Sequence, residues 1–338
     1  MKRSGCFFLM MGMLLMLAVS AHGADRAAGS REYHLTSDGK IRDYFVHLPP
    51  AYHSAGKPLP VVVGLHGGGG TAKNFEGYGL DPYADKTGMI MVYPEGVSSF
   101  MGGFRTWNAG KCCSKAMEEN SDDVGFISAV IDAVVRDFHA DARHVFVTGH
   151  SNGAMMAWRL ACDIPDKIAA IAPVSGQSAV TKPCKQGKPV AVFQVHGTEA
   201  HCALYHGGPA CGGCFGRVFG AMGLPDHQKG RWACRPVPDV LAKQAAWNGC
   251  GIGTDIVSEN GPVTCKRWQG CPAGGSVTLC TVNGGGHHWQ GSPLLGACQK
   301  RPNGRLCKAW EEEVGPVVDG VDTSAMIFRF FQSQANIP

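Results

Sequence analysis

The chain has 338 residues, 44% of them hydrophobic and 17% charged, with a formal net charge of +4 at pH 7. A chain of this length can bury a large core, and no linker or repeat divides it, so one elaborated domain is expected. The near-neutral balance contains no basic block of the kind that binds nucleic acid.

Lys2 and Arg3, the apolar run from Cys6 to Val19, and small residues around Ala21 and Gly23 have the form of a secretory signal over residues 1–23. The run is too short for a membrane span, and no second stretch of ~20 apolar residues follows. The mature chain, residues 24–338, is therefore expected to be secreted, to the periplasm or beyond the cell, and off the membrane. Removing Lys2 and Arg3 takes the charge from +4 to +2, and removing Cys6 leaves 14 of the 15 cysteines. An even number in an oxidising compartment makes disulfides the default.

Arg31 to Ser37 and Ile41 to Leu48 alternate like two strands, joined by a Ser37-Asp38-Gly39-Lys40 turn. Val61 to Leu65 is a continuous apolar run, expected as a buried parallel strand that enters the loop His66 to Gly70. A helix should follow from Thr71, and Met89 to Tyr93 is another buried strand. From Asp122, the residues Val124, Ile127, Val130, Ile131, Val134, Val135 and Phe138 share one helical face. Then come strand 144–148, helix 152–162, strands 168–174 and 189–196, helix 239–248, strands near 254–258, 263–269 and 276–282, and a final helix 322–333. An antiparallel start followed by alternating strands and helices predicts an α/β fold with a mostly parallel sheet. In such sheets chemistry gathers at the carboxyl ends of the strands.

Three glycine-marked segments fall at those ends. Gly149-His150-Ser151-Asn152-Gly153 sits between strand and helix, the context in which G-x-S-x-G lifts a serine hydroxyl out of a tight bend. In a chain with 47 glycines the pentapeptide alone is weak, and the flanking elements give it meaning. A serine needs a base and N–H donors for an oxyanion. The donors expected are Asn152 and either Gly67 or Gly68. The base expected is His287, which follows a strand and three glycines, with His288 as the alternative. The acid should follow strand 189–196, where Glu199 is the only carboxylate in the turn; Asp226 and Asp239 are candidates farther on, although Asp239 at a helix start could simply favour the dipole.

The motifs LHGGGGTA (65–72), WNAGKCC (107–113), DDVGFISAVID (122–132), GHSNGAMM (149–156), HGT (196–198), YHGG (205–208), GGGHHW (284–289) and FRFF (328–331) run in order through most of the mature chain. With them the sequence resembles the polyhydroxybutyrate depolymerase-like esterases of the α/β-hydrolase fold, neighbours of feruloyl and acetylxylan esterases. The resemblance implies ester hydrolysis through an acyl-enzyme, with Ser151 as nucleophile and His287 as base. It also exposes a departure, because that family carries its triad aspartate two residues after HGT, where this chain has Ala200. Glu199 takes the role, or a later carboxylate does, or the triad is incomplete.

Residues 201–236 form a Cys-rich insertion with Cys202, Cys211, Cys214 and Cys234 beside His201, His206 and His227. C-x-x-C with histidines has metal-ligand spacing, but zinc usually wants two such paired elements and this compartment favours disulfides ahead of a metal. The insertion should overhang the cleft. Cys298 and Cys307 should close one loop, and the family pattern suggests Cys250 with Cys271. The adjacent Cys112 and Cys113 are expected to pair elsewhere rather than with each other. Trp107, Trp289 and Tyr205 could either pack loops or stack on a substrate ring. Asp122 and Asp123 could order the Trp107 loop or mark a helix start.

No cofactor and no resident metal are expected. The expected partner is an ester substrate, either a hydroxyalkanoate polyester or oligomer or a feruloylated or acetylated plant polysaccharide. The competing class is a catalytically impaired, hydrolase-fold binding protein, suggested by Ala200 and the insertion.

Overall fold

The computed structural model describes residues 29–98, 103–212, 214–223, 231–293 and 296–337. The expected signal segment 1–23, Asp226 and His227 lie outside them. Ten strands form one sheet: β1 Gly29–Ser37, β2 Lys40–Leu48, β3 Val61–Leu65, β4 Ile90–Pro94, β5 Val145–His150, β6 Ala170–Val174, β7 Ala191–Gly197, β8 Thr254–Asn260, β9 Val263–Trp268 and β10 Val277–Val282. Their order across the sheet is β1-β2-β4-β3-β5-β6-β7-β10-β9-β8. The run from β4 to β10 is parallel, while β1, β2, β8 and β9 extend the two edges antiparallel. Asp38 and Gly39 both take positive φ (49° and 68°), as the tight turn between β1 and β2 requires.

The helices are α1 Ala72–Glu76, α2 Asp81–Thr87, α3 Ser114–Glu118, α4 Asp123–Asp137, α5 Asn152–Asp163, α6 Gly216–Ala221, α7 Val237–Trp247, α8 Gly296–Lys300, α9 Arg305–Val314 and α10 Thr323–Ala335. Strand alternation sends side chains to two cores. Val61, Val63 and Leu65 join Phe126, Val130, Met156 and Leu241 from α4, α5 and α7 on one face. Val62 joins Phe75, Ala84, Phe328 and Phe331 from α1, α2 and α10 on the other. Both sheet faces are therefore covered, which is why the central strands are apolar without interruption. The short helices α2, α3, α6, α8 and α9 were not apparent from periodicity.

Seven disulfides close the described chain, among them Cys202–Cys214, Cys211–Cys234, Cys250–Cys271, Cys298–Cys307 and Cys265–Cys280 between neighbouring strands. The expectation for Cys112 and Cys113 is corrected: they are bonded to each other. Every other described cysteine has a nearer partner, the last pair being Cys162–Cys184.

Candidate active site

Strand β5 runs straight into α5, and the bend between them leaves Ser151 at φ 55°, ψ −116°, a positive φ that a non-glycine residue rarely takes. The bend closes only because its flanks are bare. A Cβ on Gly149 would stand 2.6 Å from the carbonyl carbon of Gly153, and one on Gly153 would collide with the Leu65 carbonyl. On the far side, the loop after β10 is fastened to the end of α9 and the residues just past it: His287 N–H donates to the Val314 carbonyl (2.5 Å) and Gly286 N–H to that of Pro316 (2.6 Å). This fastening brings His287 Nε2 to 2.8 Å from Ser151 Oγ across 136 residues of sequence. The alternative base, His288, faces away from the serine, its Nε2 donating to the Gly315 carbonyl at 2.9 Å.

Gly67 and Gly68 lie against this bend. A Cβ on Gly67 would stand 3.5 Å from Ser151 Cβ, and one on Gly68 3.7 Å from Asn152 Cβ. The main-chain N–H of Asn152 is the first of α5 and, like that of Gly68, has no acceptor among the described residues. The Asn152 side chain has another task. Its Oδ1 accepts from Trp107 N–H (2.7 Å) and its Nδ2 donates to the Trp107 carbonyl (3.0 Å). Trp107 is fully buried and donates its ring N–H to the His66 carbonyl (3.0 Å), so it packs the loops. Tyr205 does likewise, bonded through its hydroxyl to Thr281 at 2.8 Å. Asp122 caps α4 by accepting from Gly125 N–H, whereas buried Asp123 accepts from Asn108 N–H (2.7 Å) and Arg42 (2.9 Å) and so orders the Trp107 loop. Each reading of that aspartate pair holds for one member.

The acid does not follow the expected pattern. Glu199 is exposed, and its carboxylate makes no hydrogen bond to the described residues; its main chain is what the fold uses, donating to Gly285 at 2.8 Å. Asp239 is exposed in the first turn of α7, where it favours the helix dipole. Ala200 is buried at 2% exposure. His287 Nδ1, the atom a triad acid would receive, is buried with no partner. The structure therefore does not bring Glu199 or Asp239 to the base, because both carboxylates point to solvent.

Burial holds the His287 imidazole well below its ordinary pKa, and the neighbouring imidazoles of His150, His196, His288 and His201 push the same way. Burial likewise lowers His150 to about 3 and His196 to about 4. Burial thus favours the neutral form of His287, His150 and His196. His150 was not singled out by sequence reasoning, since it occupies a variable position of the pentapeptide. Its ring packs on His287 with centroids 5.1 Å apart.

A cavity of about 490 Å³ opens from Ser151 and His287. Its walls include the rings of Phe75, Tyr78, Phe104, Phe215, Trp289 and Trp310. Phe215 stacks on Trp310 at 5.8 Å and meets Phe104 edge-on at 5.7 Å. Trp289 thus reaches the cavity, with its ring N–H held by Ser324 at 3.0 Å. From the Cys-rich segment, Phe215, Val218, Phe219 and the Cys202–Cys214 disulfide form part of the cavity wall. A smaller chamber of about 30 Å³ lies on the other side of Ser151, between that disulfide and Cys112–Cys113.

Two side-chain groups have metal-ligand spacing: Cys202, Cys214 and His287, and Cys298, Cys307 and Glu311. In both, the sulfurs are joined as disulfides and offer no thiolate, so this donor chemistry does not suit a metal.

Comparison with known proteins places the chain among esterases. The family described as esterase PHB depolymerase matches over residues 42–182. Feruloyl esterase B of Piromyces equi is 29% identical over 73% of this chain, which spans only 42% of that relative's length. A protein named "Probable feruloyl esterase C" from Aspergillus flavus is 30% identical over 64% of this chain and 79% of its own. The acetyl xylan esterase structure from Aspergillus awamori superposes with a TM-score of 0.52 at 14% identity, covering 82% of this chain and 99% of that one, which establishes the shared fold.

Proposed function

Starting from the fact that this chain belongs to the esterase PHB depolymerase family, and is an α/β-hydrolase that cleaves carboxylic esters, we propose that Ser151 is its nucleophile and His287 its general base. His287 Nε2 accepts the Ser151 proton as Oγ attacks the ester carbonyl. The N–H groups of Asn152 and of Gly67 or Gly68 receive the oxyanion. The protonated imidazole returns its proton to the departing alcohol, leaving an acyl-serine. Water, activated by the same nitrogen, then releases the acid. The 2.8 Å contact between Ser151 and His287 carries this reading.

The acyl group we infer is a flat aromatic acid of the hydroxycinnamoyl type, esterified to plant polysaccharide. The ring-lined cavity supports it. Phe215, Trp310, Phe104 and Trp289 offer faces and edges to an aryl ring, whereas a four-carbon hydroxy acid would leave most of that apolar surface in water. The feruloyl esterase relatives point the same way. Hydroxybutyrate oligomers are the second reading, favoured by the family match. We read residues 24–338 as one catalytic domain with a capping insertion at 201–236, exported behind the 1–23 signal. The seven disulfides support export, and among the described residues no helix is long and apolar enough to cross a membrane.

The test compares kcat/KM for methyl ferulate, hydroxybutyrate trimer and p-nitrophenyl acetate. Methyl ferulate should exceed the trimer by at least about tenfold, the lower end of what a hydrophobic pocket discriminates. The reverse order would assign the enzyme to polyester oligomers. Ser151→Ala should abolish both hydrolysis and labelling by a fluorophosphonate.

A further inference from the structure

Among the described residues no carboxylate partners His287. Its Nδ1 is buried and has no partner among the described residues, and the imidazoles of His150, His196, His288 and His201 are the charges that act on it. A triad acid does two things for its histidine: it selects the tautomer that leaves Nε2 free to accept, and it holds the ring plane toward the serine. Some other group must hold the plane here.

We propose that His150 is a positioning residue for the catalytic base, its buried ring forming the surface on which His287 is held toward Ser151. The ring of His150 packs on that of His287 at a centroid distance of 5.1 Å and an interplanar angle of 41°. Beside it stands Tyr78, 6.0 Å away at 59°, and the three rings together form a wedge in the cavity wall. His150 is only 6% exposed, and its Nε2 has no partner among the described residues. The main-chain carbonyl of His287 faces the ring as well, tying the wedge to the loop that carries the base. His150 precedes Ser151 directly, so the wedge and the nucleophile move as one unit.

A base held this way lacks the negative partner that would raise its pKa. It therefore stays neutral and competent as pH falls, losing function only when pH drops through its lowered value. The price is an imidazolium without a counter-charge in the transition state.

The inference rests on Ser151 and His287 being nucleophile and base, and labelling of the wild-type enzyme by a fluorophosphonate tests that premise separately. His150→Ala should lower kcat by about tenfold to a hundredfold with KM little changed, the scale of misplacing a reacting group by about an ångström. His150→Phe, which restores the ring, should recover most of that loss. Glu199→Gln and Asp239→Asn should leave both constants within about threefold, since a triad acid would cost orders of magnitude. The wild-type profile of kcat/KM needs no variant, and its acid limb should lie well below pH 6.5, the ordinary histidine value. A limb at or above that value, a large kcat loss in Glu199→Gln or Asp239→Asn, or an unimpaired His150→Ala would overturn the proposal.

Discussion

Asn152 shows how much one side chain can carry in a tight bend. Its main-chain N–H sits at the head of α5, where the helix dipole favours a developing anion. Its amide meanwhile satisfies both the N–H and the carbonyl of Trp107, at 2.7 and 3.0 Å. Trp107 is fully buried, so neither group could turn to water if the amide were lost. Asn152→Ala leaves the buried Trp107 N–H unpaired, at a cost of about 1–3 kcal/mol, while the Trp107 carbonyl keeps the N–H of Cys113 at 3.1 Å. The variant keeps the oxyanion N–H, so the expected result is a clear drop in the denaturation midpoint with a smaller drop in kcat. A variant as stable as wild type would show that the Trp107 loop holds without the amide. Sequence reasoning assigned Asn152 to the oxyanion alone, because nothing in a linear string pairs residue 152 with residue 107.

The cap over the site is made by elements that the sequence pattern concealed. Helix α9 turns Leu306, Trp310 and Val314 toward the cavity at a spacing of four, while charges crowd the rest of its length. A single apolar stripe on so short and polar a segment, next to a Pro/Gly-containing loop, resembles loop composition. The central strands were legible for the opposite reason. Val61 to Leu65 and Val145 to Phe146 are buried on both faces, so burial itself writes a continuous apolar run. Helix α6 packs against α9, where Phe215 stacks on Trp310 and Arg217 pairs with Glu312 at 2.7 Å. Disulfides Cys202–Cys214 and Cys298–Cys307 anchor the two segments. If this cap forms the acyl wall, Trp310→Ala should raise KM for methyl ferulate by about tenfold or more and leave p-nitrophenyl acetate nearly unaffected, since large pocket contacts are worth about 1–3 kcal/mol. Equal losses on both substrates would mean that the cap shapes the catalytic groups and not the acyl pocket.

At the scale of the molecule, the site lies where a parallel sheet places its chemistry, and that much was written in the sequence. Glycines flank Ser151, His287 and the 66–70 loop because each backbone must come close to another at the strand ends. The acid was not legible, because a carboxylate next to HGT satisfies the pattern whether it faces the base or the solvent, and Glu199 faces solvent. Beside the base stand buried imidazoles whose neutral form burial favours, and they link the site to global stability. Burial lowers His66 to about 4, His150 to about 3 and His196 to about 4. In the unfolded chain these rings take up protons near pH 6.5, so between that pH and the folded values the unfolded state binds more protons than the native one. The native state therefore has their full support above about pH 6.5 and loses it on acidification, by about 1.4 kcal/mol per histidine for each pH unit. Asp81, Glu95 and Asp123 act in the other direction: burial raises them, so the native state holds their protons more readily and gains stability as pH falls toward the unfolded carboxylate range. Their window opens lower, and the histidines dominate from neutrality downward. Guanidinium denaturation with disulfides intact should accordingly show several kcal/mol less stability at pH 5 than at pH 7.5, with net proton uptake on unfolding. A flat profile across that range would mean that these rings are charged or solvated in the native state, and the enclosed site built around His287 would have to be redrawn as an open one.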